Sequence, residues 1–380
     1  MVKRSFNIGY DAKRIFHNKT GLGNYSRDLI KILSKYYPNN NYFLYNPKIT
    51  KSKLFSYESH TKNIVEKNPL SWFHSKFYNY WRQRGIVTDL KKDKIDIYHG
   101  LTGEIPQGLK NKGIKTVVTV HDLIFMRFPQ FYSFFDRNIH KIKARYAVKN
   151  ADVVVAVSQQ TKEDIIEFFG IEREKIQVVY QGCQEIFKHL FSTQEKNSVL
   201  QKFNLPKHYI LNVGTIEARK NILAGVKAIQ NIDTHLVIVG SETPYTKKVK
   251  EYITLNKLEP KISFLKGVTN EELAILYQSA QLFIYPSLFE GFGIPIIEAL
   301  FSGIPVISSK GGCFAEAGGP SSIYINPNNV DDLHKAIKTV LTDKTLRDSM
   351  ITQGYEYAQR FTPEYIGKSF NTIYNELLNN

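Results

Sequence analysis

Short apolar runs alternate with helix-length amphipathic segments along nearly the whole chain. In the first half the runs are Ser5–Gly9, Tyr42–Tyr45, Ile95–Tyr98, Thr116–Val120 and Val153–Val157. They are short and rich in Val, Ile and Tyr, as strands buried on both faces are. Tyr25–Tyr36 and Thr161–Phe169 read as helices between them. The pattern restarts at Tyr209–Val213 and continues through His235–Val239, Ile262–Leu265, Leu282–Tyr285 and Pro305–Ser308. Helices fit Asn221–Gln230, Tyr245–Leu255, Asn270–Ala280 and Pro295–Phe301, then Val330–Leu341, Lys344–Arg360 and Glu364–Leu377. Strand–helix alternation predicts an α/β fold, and its restart predicts two doubly wound parallel sheets. The seam lies near Val179–Gly182, with the polar stretch Gln194–Ser198 ahead of the second sheet. The expected domains are 1–185 and 186–361. Residues 48–92 resist assignment; Trp72, Trp81 and many Tyr and Phe suggest a helical insertion, either an ordinary buried face or an aromatic, basic stretch that touches lipid or an acceptor.

The strongest chemistry lies in Glu290-Gly-Phe-Gly-Ile-Pro-Ile-Ile-Glu298. An apolar strand precedes it. Gly291 and Gly293 allow a tight turn, and Pro295 suits the first turn of a helix, where its missing N–H costs nothing. Such a turn aims backbone N–H groups and the positive end of the helix dipole at an anion. The carboxylates at either end repel a phosphate and suit hydroxyl groups instead. Phosphate in the middle with hydroxyls on both sides describes a nucleotide sugar. Arg219 and Lys220, two adjacent cations after the strand 209–213 and the turn at Gly214, suit a diphosphate.

Two carboxylates with seven residues between them around a Gly-Phe-Gly-hydrophobic-Pro turn resemble the signature of the retaining glycosyltransferases of family 4. Further motifs follow in that family's order: Thr20-Gly-Leu-Gly-Asn-Tyr25, Tyr98-His-Gly100, Val120-His-Asp122, Val213-Gly-Thr-Ile-Glu-Ala-Arg-Lys-Asn221 and Gly311-Gly-Cys-Phe-Ala-Glu-Ala-Gly-Gly319. The resemblance implies two Rossmann-like domains facing across a cleft, the arrangement called GT-B. Acceptor binding would fall to the first domain and donor binding to the second, with residues 362–380 returning to the first. It implies that Glu298 binds the ribose hydroxyls and Glu290 the donor sugar. Gly291, Phe292, Gly293 and Ile294 would offer backbone N–H groups to sugar and phosphate. Arg219 and Lys220 would neutralise the departing diphosphate in place of a metal, although some members carry the arginine earlier, where this chain has Thr215. His121 would contact the donor sugar near the reacting centre, Gly21 and Gly23 would close over the diphosphate, and the base would lie along the backbone of Gly267 and Val268. His99 and Glu316 occupy family-like positions that equally suit a backbone-satisfied histidine and a loop carboxylate.

Composition narrows the partners. The 380 residues carry a formal charge of +16, and the excess is uneven: residues 1–185 hold 31 Lys and Arg against 17 Asp and Glu, the remainder 20 against 18. A basic first half suits an anionic membrane surface or a diphosphate-linked acceptor. Solubility alone also accounts for it; nucleic acid fits less well because no binding motif accompanies the charge. The N-terminus turns polar too quickly for a signal peptide, and no apolar run reaches membrane-spanning length. Two cysteines, Cys183 and Cys313, form no disulfide framework and no metal spacing, which fits a reducing cytosol. No metal constellation is legible, and no cofactor beyond the nucleotide-sugar substrate is expected.

The expected activity is therefore metal-independent, retaining transfer of a hexose from GDP-mannose, or next a UDP-sugar, to a hydroxyl of a glycan or lipid-linked acceptor. The setting would be cytoplasmic, peripheral to the inner face of a membrane. A sugar-nucleotide epimerase-type enzyme on the same scaffold and a non-catalytic nucleotide-sugar-binding protein are the alternatives.

Overall fold

A computed structural model describes residues 5–49, 54–55 and 63–379. By its internal contacts the chain divides into two compact units, Met1–Gln181 with Pro363–Asn380, and Gly182–Thr362.

The first unit is built on seven strands, β1 (Asn7–Asp11), β2 (Asn41–Tyr45), β3 (Ile64–Lys67), β4 (Ile97–Gly100), β5 (Lys115–Val120), β6 (Val153–Ala156) and β7 (Ile176–Val178). Their order is β3-β2-β1-β4-β5-β6-β7, and every pairing is parallel, with Ile8 opposite Ile97 at the centre. Strand order reverses between β1 and β4, the position where an open α/β sheet forms its ligand crevice. The C-terminal helix, Pro363–Asn379, belongs to this unit. Its Ile366, Phe370, Ile373 and Tyr374 are buried in one core with Tyr10, Tyr42 and Leu33.

The second unit has β8 (Ile210–Val213), β9 (Leu236–Val239), β10 (Ile262–Leu265), β11 (Leu282–Tyr285), β12 (Val306–Ser309) and β13 (Ile323–Ile325) in the order β10-β9-β8-β11-β12-β13, again all parallel. Its switch point lies between β8 and β11. These two strands pair only at their first residues, Ile210 with Leu282 and Leu211 with Phe283. Beyond that the Asn212 amide donates across the gap to the Ile284 carbonyl at 2.9 Å. The sheet therefore opens where its carboxyl ends meet the turns that follow.

Local signals explain most element ends. Ser158 caps the helix Gln159–Phe169, which stops at Gly170 in the left-handed region, a position where glycine avoids the Cβ penalty. Thr269 and Glu272 form a reciprocal capping box at Asn270–Ser279. The same device, Ser192 with Glu195, starts a helix at Thr193–Lys202, so the polar stretch at 194–198 ahead of the second sheet is helical. The long helix Phe134–Asn150 was also missed by periodicity, because its outward face carries apolar residues as well as its inward one. The strands β7 and β13 are only three residues long, and β3 ends in Glu66 and Lys67, so none of them shows the largely apolar run of four or more that marks most of the others.

The ambiguous segment 48–92 lies partly outside the described residues. The described remainder splits in character. Trp81 is fully buried and donates its indole N–H to Asp89 at 2.7 Å, whereas Trp72 is 74% exposed.

Candidate active site

The turns after β8 and β11 bring Arg219, Lys220 and Glu290 of the second unit together. Glu290 sits at the centre. Lys220 Nζ lies 2.6 Å from one carboxylate oxygen and Arg219 2.7 Å from the other. The cluster is largely shielded from water: Glu290 is 10% exposed and both cations 16%. Arg219 also pairs with Glu217 at 2.6 Å and donates to the Phe289 carbonyl. Lys220 donates to the Tyr285 hydroxyl at 2.8 Å and lies against its ring. Burial on its own pushes the Glu290 carboxyl up; the Lys220 ammonium and Arg219 guanidinium outweigh it and hold Glu290 below the ordinary carboxylate range. Burial likewise opposes the charged forms of Lys220 and Arg219, and Glu290 more than restores them, so both are held above their ordinary values. The four ionised groups balance, two positive and two negative.

The backbone around this cluster is fixed by close approach. Asn221 takes the left-handed conformation at φ 54° and anchors the turn by donating to the Pro286 and Pro327 carbonyls. Gly240 is required because a Cβ there would stand 1.9 Å from the Gly214 carbonyl oxygen. Gly293 has φ −159° and lies outside the left-handed region. In the tight turn expected there, its glycine answers a close approach: a Cβ would come 2.9 Å from Ala317 Cβ. The helix Ile294–Phe301 starts there with Pro295 in its first turn. The Phe292 side chain is buried against Phe361, so Phe292 reaches the crevice with backbone alone. Glu298 stands on that helix and accepts from the Tyr277 hydroxyl at 3.0 Å. The Cys313 thiol donates to the Glu290 and Phe292 carbonyls at 3.3 and 2.9 Å. Gly267 and Val268 follow β10, two strands from the switch point, with Gly267 in the left-handed region and open to solvent. Glu316 lies in the short helix Phe314–Gly318, whose backbone Tyr357 holds by donating to the Glu316 carbonyl.

In the first unit, His121 follows β5. Its Nε2 meets the Leu101 carbonyl at 2.8 Å, so Nε2 carries the proton. Its Nδ1 then accepts from the Gln181 amide at 2.8 Å. Burial lowers its pKa to about 4, and the imidazole is neutral near pH 7. A cavity of about 280 Å³ opens beside it, lined among others by Arg14, Leu22, Glu104, Asp122 and Lys143. His99 is no part of it. That ring is fully buried between the Tyr374 hydroxyl at 2.7 Å and the Thr119 hydroxyl at 2.8 Å, and burial lowers its pKa to about 3. Gly21 and Gly23 lie inside the first turn of the helix Gly21–Tyr36 rather than in a loop before it. A Cβ on Gly23 would strike the Asn18 carbonyl at 2.0 Å, while Gly21 faces open space.

Sequence reasoning missed Tyr285, Gly240, Cys313, Gln181 and Arg14. Their positions follow from contacts tens of residues away in sequence. Only Cys313, inside the glycine-rich motif 311–319, carried a local signal.

Two family models match the chain: that of the glycosyl transferases group 1 over residues 193–357, and that of glycosyltransferase family 4 over residues 49–184. Among curated relatives, O-antigen chain mannosyltransferase B of Escherichia coli is 26% identical over 379 residues, covering 94% of this chain and 96% of its own. O-antigen chain mannosyltransferase RfbU of Salmonella typhimurium is 29% identical over 303 residues, 79% of each chain. Among solved structures, sucrose-phosphate synthase from Thermosynechococcus elongatus superimposes with a TM-score of 0.79 at 19% identity, over 98% of this chain and 99% of that one.

Proposed function

The chain belongs to the group 1 glycosyltransferases, a glycosyltransferase family 4 segment preceding the group 1 domain, and on that premise we propose that it moves a hexose from a nucleoside-diphosphate sugar to a glycan hydroxyl. The observation that carries this reading is the pair of shielded cations, Lys220 and Arg219, held on one carboxylate at the switch point of the second sheet. Glu290 acts there as a removable counter-ion. A diphosphate that takes over the two cations frees Glu290 to accept hydrogen bonds from the sugar and to face positive charge growing at its anomeric carbon.

In the transfer, the bond between the anomeric carbon and the phosphate oxygen breaks with its electrons going to the phosphate. Lys220 and Arg219 offset that charge, so no metal is required. The acceptor oxygen bonds to the anomeric carbon on the same face and gives its proton to the departing phosphate, which retains configuration. Glu298 binds the ribose. Gly214 and the backbone of Gly291, Phe292, Gly293 and Ile294 receive the phosphates and sugar, and Gly267 and Val268 flank the base. Within the first unit, His121 takes a sugar hydroxyl at Nδ1 in place of Gln181. The mannosyltransferase relatives support mannose, and hence GDP-mannose, over a UDP-sugar. Relatives named O-antigen chain mannosyltransferases support a glycan acceptor; in this reading the glycan is carried on a lipid and the enzyme works at the cytoplasmic face of a membrane, held peripherally.

Thermal stability measured against UDP, GDP, ADP and CMP and their sugars, with and without magnesium, tests the donor site. A shift for one base without magnesium is expected; no shift with any of them refutes the assignment. The anomeric configuration of the product tests retention, and inversion sinks the mechanism.

A further inference from the structure

Two surface stretches of the first unit, residues 70–80 and the helix Phe134–Asn150, carry apolar side chains that stand about half exposed or more. The helices Trp72–Lys76 and Tyr78–Tyr80 have no buried residue at all. Leu70, Trp72, Phe73, Phe77 and Tyr80 are each about half exposed or more. Phe73 stacks with Phe77 at 4.8 Å and meets Tyr80 edge-on at 6.1 Å, an aromatic cluster assembled in the open. On the helix Phe134–Asn150 the inward face is Ala144, Ala147 and Val148. Phe135, Ile139 and Ile142, spaced i, i+4, i+7, form a second stripe on the opposite face, 77%, 52% and 69% exposed. Water gives no reason for a helix to be apolar on both faces.

The two stretches border the same space. Asn79, with Arg82 and Gln83 just beyond the first stretch, and His140 and Lys143 of the helix Phe134–Asn150 line a cavity of about 420 Å³, which shares Arg14, Glu104 and Lys143 with the cavity beside His121. The apolar rim is strongly one-signed. Residues 134–150 hold five Lys and Arg against one acid, Asp136, and residues 70–80 hold Lys76 and no acid. Lys141, Arg145 and Lys149 stand exposed beside the stripe. No helix among the described residues is long and apolar enough to cross a membrane. An apolar stripe flanked by cations on a helix that cannot span is the chemistry of an element lying in the headgroup layer of an anionic bilayer.

We propose that Phe135, Ile139 and Ile142, with Trp72, Phe73 and Phe77, form one bilayer-docking rim that sets the cavity bordered by these two stretches at the level of anionic lipid headgroups. This deepens the reading of a lipid-carried acceptor and rests on it for the identity of what enters the cavity.

Co-sedimentation with vesicles tests the rim. Wild type is expected to sediment with phosphatidylcholine vesicles containing about one-third phosphatidylglycerol, weakly with pure phosphatidylcholine, and less as salt rises. The triple variant Phe135→Ser, Ile139→Ser, Ile142→Ser should lower partitioning at least about tenfold, because it removes the area that enters the interface. So should Trp72→Ser, Phe73→Ser, Phe77→Ser. Leu190→Ser with Leu255→Ser, which removes exposed apolar residues of the other unit, should change nothing. None of these side chains is buried, so an unchanged melting temperature in each variant confirms folding. Wild type that ignores anionic vesicles, triple variants that bind as wild type does, or a triple variant that only turns a dimer into a monomer would each overturn the proposal. The nucleotide-induced thermal shift, read on the same samples, separates the two readings. Its absence alongside intact vesicle binding strikes the transferase assignment, and the reverse strikes the rim.

Discussion

Replacing Glu290 by Gln isolates the counter-ion role. The substitution keeps shape and hydrogen-bonding capacity but removes the charge that both cations share. Arg219 keeps Glu217 at 2.6 Å. Lys220 keeps only the Tyr285 hydroxyl and ring, and becomes a shielded ammonium without a counter-charge. Breaking a buried ion pair costs about 3–5 kcal/mol; the partner left to Arg219 places the expected loss near the lower end, about 3 kcal/mol. For a domain of this size that lowers the melting temperature by about 6–12 °C. The vacated cations now have no competitor for an anion, so the nucleoside diphosphate should bind the variant about tenfold more tightly, roughly 1.4 kcal/mol, and recover much of the lost stability. Turnover of the sugar nucleotide should nevertheless fall on the order of 100-fold, as for loss of one charge-stabilising group. Calorimetric titration with the diphosphate, melting curves with and without it, and initial rates provide the three readouts. Weaker binding of the diphosphate by the variant, or turnover undiminished, would refute the counter-ion argument. The sign with pH follows from the depressed carboxyl of Glu290. Its contribution to stability is complete above the ordinary carboxylate range and is lost as pH falls through the lowered folded value. The acid limb of the wild-type stability curve should therefore be blunted in the Gln variant.

Gly293→Ala puts a methyl 2.9 Å from Ala317 Cβ, which must shift the start of the helix Ile294–Phe301; donor affinity should drop about tenfold or more with the first unit unaffected, as titration calorimetry will show. Tyr374→Phe removes the bonds to His99 and Tyr10 and leaves His99 Nδ1 without that partner, an expected loss of about 1–3 kcal/mol in urea unfolding. Because His99 and His121 are buried neutral with folded pKa values of about 3 and about 4, the unfolded chain binds more protons below its ordinary histidine value. Stability should decline from about pH 6.5 downward toward those values, by about 1.4 kcal/mol per unit for each histidine. A His99→Gln variant should flatten that slope in melting curves taken between pH 4 and 7.

The two parallel sheets were legible from the chain because strands buried on both faces are nearly continuous apolar runs, and ten of them stand out between helical segments. The edge strands β7 and β13 are three residues long and β3 ends in Glu66 and Lys67, so none offers such a run. The helix Phe134–Asn150 escaped because its two apolar faces blur the amphipathic signal that marks an ordinary surface helix.

Sequence by itself determined the chemistry in hand: the carboxylates Glu290 and Glu298 around a glycine turn, the adjacent cations Arg219 and Lys220, and a first half with excess positive charge. Those features are local, written in spacing and residue type. Only the tertiary structure decided what meets what. Glu290 lies seventy positions from Lys220, and their ion pair exists because parallel strands β8 and β11 adjoin at the switch point and splay apart there. His99, which its motif left open to a ligand role, became a core residue because Tyr374, 275 positions later, packs onto it. His121 acquired its tautomer from Leu101 and Gln181 in the same way. Burial and long-range hydrogen bonds set the protonation and availability of each group, and neither is a property of the chain before it folds.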